Sequence, residues 1–349
     1  MLDGWRRYTQ GIFILGETMA ILRCNHCGHL AEVSDDAANK TVPCPKCSQP
    51  AKTYPTLFFI ERLLDKYFTA QRELIRLRTP GSPASVLATP AASAPPAPQE
   101  FDLSNTDHLA NELQHGPIYD WFRKKQIAVQ ADMRGVDTSG FYDEVAEAIG
   151  DNLDLFKEVV ERIRWSQQKE YASTTIHLDK KTPDEAAQLS RFCQQLYDFS
   201  FVAKCFHNKA EQNVRLILQT APSIRQFFNG EWLEWFALMQ VLRYTKERGR
   251  RFSCARGLEI ALQNGDKAEL DVFALLDGNL PICIECKSGD CRPHIDRALM
   301  LRKRLGLEAR QFVMCVAGLS DEQAKAYTAM YELTFVNERT LSTHLQKLF

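Results

Sequence analysis

Asp271, Glu285 and Lys287 stand inside two short apolar stretches, AELDVFALL and PICIECK, separated by an Asp277-Gly278 turn. Burying an unpaired carboxylate costs several kcal/mol, so acids in such runs need a cation or a hydrogen-bond partner. Period-two alternation predicts Glu269, Asp271 and Phe273 on one face of the first strand, with Leu270, Val272 and Ala274 on the other. In the second strand it groups Cys283, Glu285 and Lys287 against Ile282, Ile284 and Cys286. Two readings follow. In one, Asp271, Glu285 and the backbone carbonyl of Cys286 hold Mg2+ or Mn2+, while Lys287 orients or activates an attacking water. In the other, the lysine and the acids form a buried ion pair and nothing more.

A second ligand set lies near the N-terminus. Cys24 and Cys27 form one CxxC pair, and after sixteen residues Cys44 and Cys47 form another. Four thiolates at about 2.3 Å satisfy tetrahedral Zn2+, and Gly28, Pro43 and Pro45 supply the turns such knuckles need. The spacing predicts a structural zinc ribbon over 19–55, with His26 and His29 at the wrong offsets to replace a cysteine. The other seven cysteines are scattered through apolar sequence, in keeping with a reducing compartment. Cys283, Cys286 and Cys291 invite an iron-sulfur cluster. Alternation sends Cys283 and Cys286 to opposite faces and no fourth ligand stands nearby, so they are read as buried thiols.

The elements that must hold Asp271, Glu285 and Lys287 can be read from periodicity. FSCARGLEIAL, AELDVFALL and PICIECK predict three antiparallel strands with tight turns at Asn264-Gly265 and Asp277-Gly278. Upstream, GEWLEWFALMQVLRYT carries Trp232, Trp235, Phe236, Met239 and Leu242 at helical spacing. Downstream come a basic amphipathic helix (292–304), a buried strand (311–317) and a helix capped by Ser320 with Gln323 three residues on. Residues 226–349 thus read as one mixed α/β domain. Residues 101–225 read as a helical domain, with Thr182, Pro183 and Glu185 marking one helix start, and with His177 and Asp179 in a surface loop or strand. Over 79–100 the chain is rich in Pro and Ala and almost free of charge, the composition of a disordered linker. Over 56–78, Ile60, Leu63, Tyr67, Ala70, Leu74 and Leu77 form the seam of an amphipathic or coiled-coil helix, suited to homodimerisation or to packing on its own ribbon. The fold expected is multi-domain α+β.

The 349 residues carry 43 basic and 44 acidic side chains, which excludes a histone-like polycation but not local basic patches. Arg248, Arg250 and Arg251 follow the tryptophan-rich helix, and Arg302 lies on the basic one; these four are the candidate nucleic-acid contacts. No apolar run reaches the roughly 18 residues of a membrane span, and GIFILG is too short for a secretory core. A cytoplasmic protein with no membrane partner is expected, and Met19 is an alternative start.

At Asp271 and Glu285-Cys286-Lys287 the chain resembles the PD-(D/E)xK nuclease superfamily. With Gly230-Glu231-Trp232-Leu233-Glu234 upstream and Ser288-Gly289 after the lysine, residues 230 to about 320 are similar to the nuclease half of CRISPR-associated Card/Can-type effectors. The resemblance implies a restriction-endonuclease-like core in which Glu234 is the helix acid, Asp271 and Glu285 bind metal and Lys287 is the catalytic lysine, with Glu231 and Glu269 as further acids. It does not extend to the sensor half of those effectors, since residues 101–225 read as helical rather than as alternating strands and helices. The function expected is metal-dependent hydrolysis of nucleic acid, DNA ahead of RNA, in defence against phage or plasmids and with a defence-system partner protein. The alternative is a noncatalytic nucleic-acid-binding or assembly subunit on a retired nuclease fold.

Overall fold

The structure is a computed structural model and describes residues 19–24, 27, 29–38, 40–56, 103, 112–131, 141–262 and 265–348. The chain divides into two units, Met1–Ser93 and Ala94–Phe349. The coiled-coil helix expected over 56–78, from residue 57 on, and the linker expected over 79–100 lie outside the described residues.

In the first unit, β1 (Met19–Arg23), β2 (Leu30–Ser34), β3 (Thr41–Pro43) and β4 (Pro50–Pro55) form an antiparallel sheet in the order β2-β1-β4-β3. Four strands this short bury little: Leu22, Cys24, Cys44 and Ala51 are the core. The cysteines themselves must therefore supply much of its cohesion.

In the second unit, the predicted strands appear as β9 (Phe252–Ala261), β10 (Lys267–Leu276) and β11 (Leu280–Lys287). Three residues, Asp277–Asn279, join β10 to β11, and Asp277 and Gly278 both take positive φ, 48° and 79°. β12 (Phe312–Val316) and β13 (Thr334–Val336) add in parallel, and β5 (Ala128–Gln130) pairs with β9, giving the order β13-β12-β11-β10-β9-β5. Cores cover both faces of this sheet. On one, Ile282, Ile284 and Cys286 pack with Trp232, Leu233 and Trp235; on the other, Cys283 packs with Ile118, Phe122, Ile295 and Leu301.

The helical reading of 101–225 is corrected. Helices α1 (Glu112–Lys124), α2 (Tyr142–Asp151), α3 (Leu153–Gln168) and α4 (Pro183–Asp198) are there, the last with the Thr182–Glu185 capping box. Between and after them, β6 (Ser173–His177), β7 (Val202–Asn208) and β8 (Asn213–Leu218) form an antiparallel sheet in the order β6-β8-β7. The run DEAAQLSRFCQQLYDFSFVAKCF hides two elements, because α4 stops where Ser200 turns left-handed (φ 63°) and β7 follows at once. In β8, Val214, Leu216 and Leu218 are buried alternately, a period-two signal swamped by the helical pattern before it. Nor is residue 225 a domain boundary, because Val145, Ile163, Leu189 and Leu216 share one core with Trp232, Ala274 and Ile284.

A short helix α5 (Pro222–Gln226) passes through a π-turn (Phe227–Glu231) into α6 (Trp232–Glu247). α6 is buried on nearly every side, as its all-round apolar sequence dictates, and only one acid, Glu234, stands in its first turn. Helix α7 (Ile295–Leu305), α8 (Asp321–Met330), capped by Ser320 and Gln323 as expected, and α9 (Leu341–Leu348) complete the unit. Among the described residues, no helix is long and apolar enough to cross a membrane.

Candidate active site

The β10–β11 ladder runs from Leu276–Leu280 to Val272–Ile284 and stops there, leaving Asp271 and Glu285 one step beyond its last pair. On its other side β10 keeps register with β9 through Leu270–Leu258 and Val272–Arg256, with Gly257 at φ +63° beside Asp271. Leu270 packs in the same core as Phe273 and Leu275, whereas Val272 and Ala274 pack in the opposite one. The strict alternation expected for β10 is therefore broken: the strand rolls over around Asp271, so Asp271 and Phe273 do not share a face set by one uninterrupted period. β11 keeps its alternation, and Cys283 and Cys286 lie in opposite cores as expected.

This roll brings three groups together. The Cys286 amide donates to Asp271 Oδ2 at 2.7 Å. Lys287 Nζ lies 3.2 Å from the same oxygen, 3.5 Å from Glu285 Oε2 and 2.9 Å from the Cys286 carbonyl oxygen. Glu285 Oε1 is buried and has no hydrogen-bond partner. The ammonium thus touches the same three oxygens that the sequence reading assigned to a divalent ion. Burial and the neighbouring Asp271 charge push the Glu285 carboxyl up to about 7, against the pull of Lys287. Burial alone would lower the lysine, but Asp271 and Glu285 outweigh it and leave its pKa raised.

Glu234 enters from α6. Its Oε2 accepts from Arg256 Nη1 at 2.9 Å, and the Arg256 guanidinium lies over the Trp235 ring, 4.4 Å from its centroid. Burial and then Asp271 raise the Glu234 carboxyl to about 8, with Arg256 opposing them. Glu231 is raised by burial as well. Both acids line a cleft of about 360 Å³ together with Asn229, Asp271, Lys287 and His294. Gly230 also lines it. At φ +143° it adopts a conformation open to glycine, and a Cβ there would come within 2.9 Å of Ser288 Oγ. Glu269 faces a different hollow, with Lys267 and Arg297.

The basic residues singled out from sequence are elsewhere. Arg248, Arg250 and Arg251 follow the far end of α6, about 20 Å from Glu234 at 1.5 Å per helical residue. Arg250 pairs with Asp277 at the hairpin tip, 2.7 Å away. Arg302 is a clasp, bonded to the Leu307 carbonyl and to Glu332, with its side chain only 14% exposed. Near the acids the cations are Arg256, Lys287 and Arg297, and His294 lines the cleft. Arg256 belongs to the basic run after α6, but nothing in its spacing marks it as the partner of Glu234, and His294 carries no sequence signal at all.

In the first unit the four cysteine sulfurs all lie within 4.8 Å of one another, with Cys24 to Cys47 at 3.5 Å and Cys27 to Cys44 at 3.6 Å. Bonds of about 2.3 Å in a tetrahedron give sulfur separations of about 3.8 Å, so this set could hold a structural metal. The Lys46 amide points at Cys44 Sγ (3.4 Å), and the Cys24 and Cys44 amides donate to the His29 and Gln49 carbonyls, closing both knuckles. Among the described residues these cysteines are the group of three or more such ligands that converges so closely; Glu234, Asp271 and Glu285 do not.

No protein-family model matches the chain, and no curated protein matches it. Among solved structures, the crystal structure of protein VC1899 from Vibrio cholerae is similar over 66% of this chain, at 16% identity and a TM-score of 0.44. The chain spans 60% of that protein's length.

Proposed function

We propose that the chain is a metal-dependent nuclease with a PD-(D/E)xK-like site, hydrolysing phosphodiester bonds in DNA ahead of RNA. The observation that carries this reading is the convergence of Asp271, Glu285, the Cys286 carbonyl and Lys287, of which Asp271, Cys286 and Lys287 line the cleft, with Glu285 Oε1 buried behind them and left unsatisfied. Two carboxylates and a carbonyl are the hard oxygen donors that Mg2+ or Mn2+ takes. When bound, such an ion supplies a more acidic water and positive charge opposite the scissile phosphate. Asp271 is oriented for this by the Cys286 amide, and Lys287 is held within reach of a water in the cleft. Glu234, kept in place by Arg256, supplies a further acceptor. Zn2+ in the four-cysteine cluster would be structural, holding a small unit that could dock nucleic acid or a defence-system partner. Defence against phage or plasmid DNA is the setting that the sequence resemblance suggests.

One observation favours the alternative, a noncatalytic binding or assembly subunit: Lys287 and Arg256 already neutralise the acids, as a purely structural ion pair would. Incubation of the full chain with single-stranded DNA, duplex DNA and RNA, with Mg2+ or Mn2+, separates the two. Cleavage by the wild type that is lost in Asp271→Ala and Lys287→Ala supports the enzyme. Salt-sensitive binding with no cleavage under either ion supports the subunit, and equal cleavage by all three proteins would refute the site assignment.

A further inference from the structure

A second hollow, of about 290 Å³, adjoins the acid cleft and shares Ser288 and Gly289 with it. Gly289 puts no side chain into the passage, and the space beside its Cα is open. The far wall of this hollow is α3, in the region where sequence showed no chemistry. Lys157, Glu161 and Arg164 face it at helical spacing, over a floor that includes Phe228 and Trp232. Gln168, one turn further along the same face, donates to Asn229 Oδ1 at 3.3 Å, and Asn229 lines the acid cleft. One face of α3 therefore lines the second hollow and, through Gln168, bonds to a wall residue of the first.

Two cations and one acid stand on that face. Lys157 is held weakly, 3.9 Å from Glu161, with more than half of each side chain in solvent. Arg164 is half-buried and makes no ion pair among the described residues. A guanidinium and an ammonium set beside an acidic cleft are complementary to the phosphates flanking a reacting one, whereas the acids alone would repel a polyanion. We infer that this groove is the phosphodiester-backbone track of the site, with Lys157 and Arg164 as positioning residues that hold the strand where it crosses Ser288 and Gly289 toward Asp271. This rests on the nuclease reading and assigns the backbone contacts to α3 rather than to the basic run after α6.

The test is binding measured apart from cleavage. A fluorescein-labelled oligonucleotide is titrated with the full chain in EDTA over a series of NaCl concentrations, and its anisotropy is followed. Each phosphate contact is worth about a tenfold change in affinity near 0.1 M salt and about one unit in the slope of log K against log salt. The Lys157→Ala, Arg164→Ala double variant should bind at least about tenfold more weakly, with a shallower slope, and its cleavage should show a raised KM at nearly unchanged kcat. Glu161→Gln removes the competing carboxylate and should tighten binding about two- to threefold, a gain that misfolding cannot produce. If the wild type binds and cleaves but both variants keep its affinity and slope, the track is refuted while the nuclease stands. If the wild type neither binds nor cleaves, the nuclease reading fails and takes the track with it.

Discussion

The Cys286 amide donates to Asp271 Oδ2 across the point where the β10–β11 ladder has already ended. A main-chain group beyond the last strand pair thus fixes the rotamer of the acid. Asp271→Asn can keep an oxygen acceptor for that amide but not the charge. The variant should fold with little loss of Tm, bind Mn2+ at least about tenfold more weakly, about 1.4 kcal/mol, and lose cleavage. Isothermal titration with Mn2+ checks it; wild-type affinity would show that no ion binds there.

Lys287 Nζ reaches the same oxygens that a divalent ion would take at the proposed site. In Lys287→Met the two carboxylates lose their cation, and stability in EDTA should fall by about 3 kcal/mol. Mn2+ should then raise the variant's Tm by more than it raises that of the wild type, because nothing has to be displaced. Thermal unfolding with and without Mn2+ decides the matter, and equal shifts would mean that ammonium and ion do not share the pocket.

Gly230 carries the turn that delivers Glu231 and Glu234 to the cleft. Gly230→Ala adds backbone strain at φ +143° and a contact with Ser288 Oγ, costing about 1–3 kcal/mol together. Adding Ser288→Ala relieves the contact but not the strain, so urea denaturation of the double variant should recover part of the loss. Full recovery would mean that the conformation itself is not strained.

Asp143 is buried in the first turn of α2, and burial pushes its carboxyl up to about 7 from 3.8. Below pH 3.8 it is protonated whether the chain is folded or not. As pH rises from about 4 to 7 the unfolded chain gives up the proton first, so this residue's contribution falls across that window and then levels off. Asp143→Asn should abolish that part of the decline and stabilise the protein at pH 8 by a margin of order 1 kcal/mol or more. Parallel pH profiles of stability for the two proteins would refute this.

The cysteine cluster should carry one zinc per chain, measurable by elemental analysis after dialysis, and Cys44→Ser should lose it. A protein that retains no zinc but keeps its far-UV spectrum would show that the ribbon folds on its small core alone.

Residue order alone determined a good deal. The four-cysteine ribbon, the three-stranded hairpin run and its turns, the caps at Thr182 and Ser320 and the candidates Asp271, Glu285 and Lys287 could all be read from it, because each depends on neighbours a few residues apart. Tertiary structure decided the rest. The roll of β10 at Asp271 arises from packing against two cores at once, and no period along the chain announces it. Strand β7 was hidden because Ser200 joins a helix to it with no proline or glycine between them, whereas a strand at His177 was already one of the two readings of that stretch. The pairing of Glu234 with Arg256 follows from how β9 lies against α6. Charge is written into the sequence, but the distance between charges is set only when helix and strand run side by side.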